Sequence, residues 1–231
     1  MYDACYADQT PAICYEYVQS VHNSHSINEV KLNAYAFMQQ LEGWCSDRKA
    51  GILMDLILMS KPDVVVEIGV YGGKSVIPMA CALRANARGK IYGIDPWDNH
   101  ASLEDVSDPS NRAYWGTIDL SGIMQGLIEK IDLFDLQDHI ELIQNTSAGV
   151  VPISEIGLLH VDGNHSDSTS YFDVTKWVPF VKKGGLIVFD DMTWYENGTY
   201  TTGRAVEWLN KNCTKIAEYS DNCVWGIWVK P

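Results

Sequence analysis

The chain has 231 residues, with 30 Asp and Glu against 17 Lys and Arg, giving a formal net charge of −13. Hydrophobic residues make up 46% and charged residues 20%, enough apolar surface for one folded domain with elaborations and too much for a disordered chain. The acidic balance argues against nucleic acid or an anionic membrane surface as a partner, because both are held by clustered Lys and Arg.

No apolar run approaches the roughly 18 residues of a membrane span, and the opening MYDACYADQTPAIC has neither a basic start nor an apolar signal core. The expectation is a cytoplasmic protein whose scattered cysteines (Cys5, Cys14, Cys45, Cys81, Cys213, Cys223) are reduced, since none forms a C-x-x-C pair.

In chain order, Asn28 to Gln40 and Asp47 to Met59 carry helical patterns, the second stopping before Pro62. They belong to an expected N-terminal helical extension over 1–60, a cap or an oligomer contact, ahead of a main domain over 61–231. Val64 to Ile68 is a β-branched run closed by Gly69; Ser75 to Ala87 reads as a helix and Ile91 to Asp95 as the next strand. Asp98 to Leu120 is polar and too long for an ordinary connection, so it is either a lid or a small inserted helix. Ser121 to Phe134 is helical, His139 to Ile143 and Leu158 to Asp162 are strands, Ser170 to Val181 is helical, and Leu186 to Asp190 is a fifth strand. Gly203 to Asn210 suggests a helix, and Lys215 to Tyr219 with Val224 to Val229 a hairpin across Ser220-Asp221-Asn222. This series predicts an α/β, Rossmann-like doubly wound sheet, mostly parallel with an antiparallel C-terminal hairpin strand, helices on both faces and extra N-terminal helices.

In such a sheet, ligands bind outside the carboxyl ends of the strands. Four predicted strands end there in Gly69, Asp95, Asp162 and the pair Asp190-Asp191. Acids gathered on one rim repel one another, so a cation or hydrogen-bonding ligand is expected to compensate them. The turn Glu67-Ile68-Gly69-Val70-Tyr71-Gly72-Gly73-Lys74-Ser75 lets backbone approach a ligand, and Asp95 can accept hydrogen bonds from a ribose. A phosphate loop would need glycine where Ile68 stands, and a dinucleotide turn would need it where Tyr71 stands, which leaves an adenosine without a phosphate chain.

That combination resembles the class I S-adenosylmethionine-dependent methyltransferases, in Val66 to Ser75, in Tyr92 to Trp97 and in the terminal hairpin. Leu159 to Ser166, followed by Asp173 and by Gly184 to Asp191, looks like the metal-dependent small-molecule O-methyltransferases, and most like the group containing the macrolide-sugar enzymes. The resemblance implies that Glu67 lies beneath the methionine end of S-adenosylmethionine, with Gly69, Tyr71, Gly73, Ser75, Trp97 and Asp162 as further cofactor contacts. Asp95 would take the ribose and Ser147 would stand beside the adenine. It further implies that Asp162, Asp190 and Asp191 hold a divalent metal (Mg²⁺, or else Mn²⁺ or Ca²⁺), with His165 as general base next to Asp162. Carboxylates are hard oxygen ligands, which suits those ions and disfavours zinc. The acceptor would be a small hydroxylated molecule, a sugar or a vicinal diol, and a homo-oligomer is possible.

Each of these residues has a plainer reading. Asp162 and Asp190 can be strand terminators, Asp191 a cap, and His165 an orienter of Asp162 or a cap of the next helix. His160 reads as a satisfied core histidine and Asp173 as part of a solvated helix face or a partner of the neighbouring turn. Trp97, Trp115 and Trp194 either wall the acceptor pocket or close the rim. For the whole chain, the alternative to an enzyme is a cofactor-binding regulatory module without turnover.

Overall fold

The computed structural model describes residues 27–231; Cys5, Cys14 and the part of the N-terminal extension before 27 lie outside the described residues. Two helices come first, α1 (Ile27–Met38) and α2 (Asp47–Ser60). Ser46 caps α2 by accepting the Lys49 N–H, and Lys61, in the left-handed region, ends it just before Pro62. Then β1 (Val64–Ile68), α3 (Val76–Ala85) and β2 (Lys90–Asp95) follow. The polar stretch from 98 contains two short helices, α4 (Asn99–Ser102) and α5 (Pro109–Trp115), each started by an Asp side chain, so the inserted-helix expectation holds twice over. Next come α6 (Leu120–Leu133), β3 (Ile140–Gln144), β4 (Ile156–Val161), α7 (Asp167–Trp177) and β5 (Val181–Phe189).

The helix expected over 170–181 is displaced. Ser166 accepts the Thr169 N–H and starts the helix three residues earlier, while Pro179 confines the end to a single 3₁₀ turn and Val181 already belongs to the strand. A two-stranded hairpin, β6 (Tyr195–Glu196) with β7 (Thr199–Tyr200), was not anticipated. The chain closes with α8 (Gly203–Asn212), β8 (Thr214–Ser220) and β9 (Val224–Val229).

Seven strands form one sheet in the order β3-β2-β1-β4-β5-β9-β8, with β1 to β5 parallel and β9 antiparallel to both its neighbours. Alternate side chains on each strand feed two cores. Val65, Leu158, Val188 and Ile227 pack with α1, α2, α3 and α6, whereas Val66, Leu159, Ile187 and Trp228 pack with α7 and α8. The chain runs outward from β1 to β3 and then returns to β4 on the other side of β1, so the topological switch point lies between β1 and β4. No helix among the described residues is long and apolar enough to cross a membrane.

Candidate active site

Around the switch point the ends of four strands, β1, β2, β4 and β5, are tied together. The Asp162 N–H donates to the Ile68 carbonyl, the Gly69 N–H to Ile94 and the Asp190 N–H to Val161, at 2.9–3.0 Å. A Cβ on Gly69 would stand 2.1 Å from the Asp162 carbonyl oxygen, and its φ of +86° belongs to the region glycine favours. Glycine is therefore what lets the turn after β1 touch the acid at the end of β4. Tyr71, Trp97 and Asp191, just past the ends of β1, β2 and β5, have φ of 50°, 43° and 48°. Such strained backbone at strand ends concentrates at functional sites.

Asp95 holds the glycine turn in place. Its Oδ2 accepts the Val70 and Tyr71 N–H groups, each at 2.9 Å, and its Oδ1 accepts the Trp97 N–H at 2.7 Å. A carboxylate has about four lone-pair positions, so room is left for a ribose hydroxyl beside Trp97. Trp97 is buried, with its indole N–H on the Tyr71 carbonyl at 2.9 Å, and it closes the rim instead of walling a pocket. Gly73 meets Leu127 of α6 where a Cβ would be, and Tyr71 joins an aromatic group with Trp44, Tyr114 and Trp115. Ser147 is buried on the turn after β3, and its hydroxyl donates to Asp173 at 2.5 Å. The solvated-face reading of Asp173 is thereby corrected: it is buried, partners the neighbouring turn, and burial pushes its carboxyl up to about 7.

Glu67 is wholly buried. Its Oε1 accepts the Ser75 hydroxyl and faces His160 Nδ1 at 3.0 Å, while Oε2 has no partner. Burial pushes its carboxyl up to about 8. Glu67 thus reaches the glycine turn through the Ser75 hydroxyl at its end. His160 is buried as expected but only half satisfied, because Nε2 has no hydrogen-bond partner.

The acidic rim divides in two. On the outer side, the ligand atoms of Asp162, His165 and Asp191 lie within 4.8 Å of one another, and His165 Nε2 is 3.2 Å from Asp191 Oδ2. Burial alone would lower the His165 pKa, but the hydrogen bond and charge of Asp191 outweigh it and raise the value; Asp191 is correspondingly lowered despite its own burial. On the inner side, His160, Asp162 and Asp190 form a second trio. Asp162 is common to both, so the three expected metal acids share a rim without forming one trio.

Sequence reasoning missed Lys49. Its ammonium pairs with Asp190 and lies 3.4 Å from Asp162, with the side chain 4% exposed. Burial would lower its pKa, yet the acids around it, Asp162 foremost, raise it, so it stays charged. The signal was present: Lys49 occupies the same helical stripe as Leu53 and Ile57, both fully buried. Glu196 was missed as well. Its Oε2 accepts the Ser107 and Asp108 N–H groups and the Ser107 hydroxyl, and its Oε1 accepts Asn111 Nδ2 at 2.8 Å. A cavity of about 420 Å³ opens beside Asp191, lined by Asp108, Asn111, Thr193, Trp194, Tyr195, Asn222 and Cys223.

A family model described as a methyltransferase domain matches residues 66–192, more than half of the chain. Among solved structures, similar chains include the O-methyltransferase TomG from Streptomyces achromogenes, in complex with S-adenosylmethionine, at 14% identity and TM-score 0.62, covering 97% of this chain and 99% of that one. The O-methyltransferase from Bacillus cereus in complex with S-adenosylhomocysteine is 13% identical, with TM-score 0.59 and coverage of 93% and 91%. The O-methyltransferase NovP is 16% identical, with TM-score 0.58 and coverage of 90% and 82%. No curated protein sequence matches the chain significantly.

Proposed function

The chain belongs to the methyltransferase domain family, and on that premise we propose that it transfers the methyl group of S-adenosylmethionine to a hydroxyl of a small acceptor, a sugar or a vicinal diol. The observation that carries this reading is the His165–Asp191 pair, 3.2 Å apart, with Asp191 in the wall of the cavity. If His165 donates Nε2–H to Asp191, Nδ1 keeps the lone pair, and that nitrogen can take the acceptor's hydroxyl proton as the oxygen attacks the sulfonium methyl. Trp194 and Tyr195 offer faces for a sugar ring, and Asp108, Asn111 and Asn222 offer partners for its hydroxyls. Asp95 and the turn from Gly69 to Ser75 would hold the adenosine and the methionine end, leaving the enzyme to position two reactants.

The outer donor set suits a hard divalent ion, because two of its three members are carboxylates. Asp162 and Asp191 would hold Mg²⁺, Mn²⁺ or Ca²⁺, with Asp190 behind them. When bound, such an ion lowers the pKa of a coordinated hydroxyl. Incubation with methyl-labelled cofactor and a panel of glycosides and diols, with and without a chelator, tests the proposal. Labelled product that needs His165 and Asp162 supports it, turnover indifferent to chelation removes the metal, and cofactor binding with no product from any acceptor favours the regulatory reading.

A further inference from the structure

The inner trio of His160, Asp162 and Asp190 has ligand atoms within 4.8 Å of one another, much as the outer one does. His160 Nε2 faces into it, wholly buried, 3.5 Å from Asp190 Oδ2 and without a hydrogen-bond partner. Two carboxylate oxygens and an unpartnered imidazole nitrogen, with His160 and Asp190 buried and Asp162 partly exposed, make a cation site by their chemistry. The chain supplies a cation there itself: Lys49 reaches in from α2, pairs with Asp190 and stands 3.4 Å from Asp162.

We propose that Lys49 is a built-in counter-ion that closes the inner trio to divalent metal, so that the rim takes one ion, on the outer side at Asp162 and Asp191, instead of two. The inference rests on the reading of the outer trio as a metal site. Two carboxylates this close repel each other, and a cation between them offsets that repulsion. An ammonium supplies that charge permanently and occupies the space a second ion would need. Lys49 is therefore a positioning residue: it fixes Asp190 and the inner edge of Asp162, and through Asp162 it sets how strongly the outer ion is held. It also makes α2, from the N-terminal extension, part of the active-site wall.

Titration with Mn²⁺ alone, read by calorimetry and by the electron paramagnetic resonance of the free ion, tests this on the full chain. Wild type and Lys49→Arg should bind one ion. Lys49→Met should bind two, or one at least tenfold more tightly. If Lys49→Met binds as wild type does, the proposal fails and the outer metal site stands. If wild type binds no ion and Lys49→Met binds one, the metal-dependent reading of the wild type fails and the proposal, which needs one ion on the wild-type rim, fails with it. If neither binds, both fail. Should Lys49→Met unfold on its own, refolding in millimolar Mn²⁺ supports the proposal, and failure to refold overturns it.

Discussion

Glu67 and His160 stand side by side on the neighbouring parallel strands β1 and β4, with His160 Nδ1 3.0 Å from Glu67 Oε1 and neither side chain exposed. Burial dominates both. It pushes the carboxyl up to about 8 and, with help from the Lys49 charge, the imidazole down to about 3. At neutral pH the pair is a carboxylic acid beside a neutral imidazole, a low-charge layer beneath the turn after β1.

The pH dependence of stability follows from the sign of each shift. The Glu67 contribution is complete below its ordinary value of 4.5 and is lost as pH rises through about 8. The His160 contribution runs the other way, complete above 6.5 and lost as pH falls towards about 3. Between pH 5 and 8, Glu67→Gln removes only the first. Melting curves should show the variant gaining on wild type across that interval; parallel curves would contradict the assignment.

Gly69→Ala forces a Cβ to within 2.1 Å of the Asp162 carbonyl at a φ of +86°. Overpacking and a disfavoured backbone together should cost about 2–5 kcal/mol. Denaturant unfolding measures this. A loss below 1 kcal/mol would mean that the β1 turn and the β4 rim are not held in contact as described.

Glu196 joins the inserted segment, at Ser107, Asp108 and Asn111, to the β6–β7 hairpin, the two walls of the cavity. Burial opposes its charge, yet bonds from Asn111, Ser107 and Trp194 hold it down to about 2, so it stays ionised. Hydrogen bonds to a charged group are each worth roughly 1.5–3 kcal/mol. Glu196→Ala should speed amide exchange across 103–116 by at least tenfold and leave β1 and β4 unchanged, with Glu196→Gln between it and wild type. Unchanged exchange would show that other contacts hold the wall.

The sheet was legible because strands covered on both faces read as mostly apolar runs: Val64–Ile68, broken only by Glu67, and Val224–Val229 appear as expected, and the residues ending β1, β2, β4 and β5 do meet at one rim. What was hidden depends on distance in sequence. The two-residue strands β6 and β7 are too short for any periodicity, so the partners of Glu196, 85–89 positions away, could not be foreseen. Lys49 was hidden in the charged first turn of α2, beside Asp47 and Arg48, where it reads as a snorkelling surface residue until its partner, Asp162, 113 positions on, is brought beside it. Asp173 looked like a solvated helical residue for the same reason, since Ser147 lies 26 positions before it.

The account depends most on the turn after β1 and Asp95 forming the seat of an adenosylated methyl donor. Calorimetric titration of S-adenosylhomocysteine into wild type and Asp95→Ala tests this directly. The account predicts one site per chain in wild type, weakened at least tenfold in the variant, with the melting temperature of wild type alone raised by the ligand. An absence of binding to wild type, or equal binding to both proteins, would contradict it.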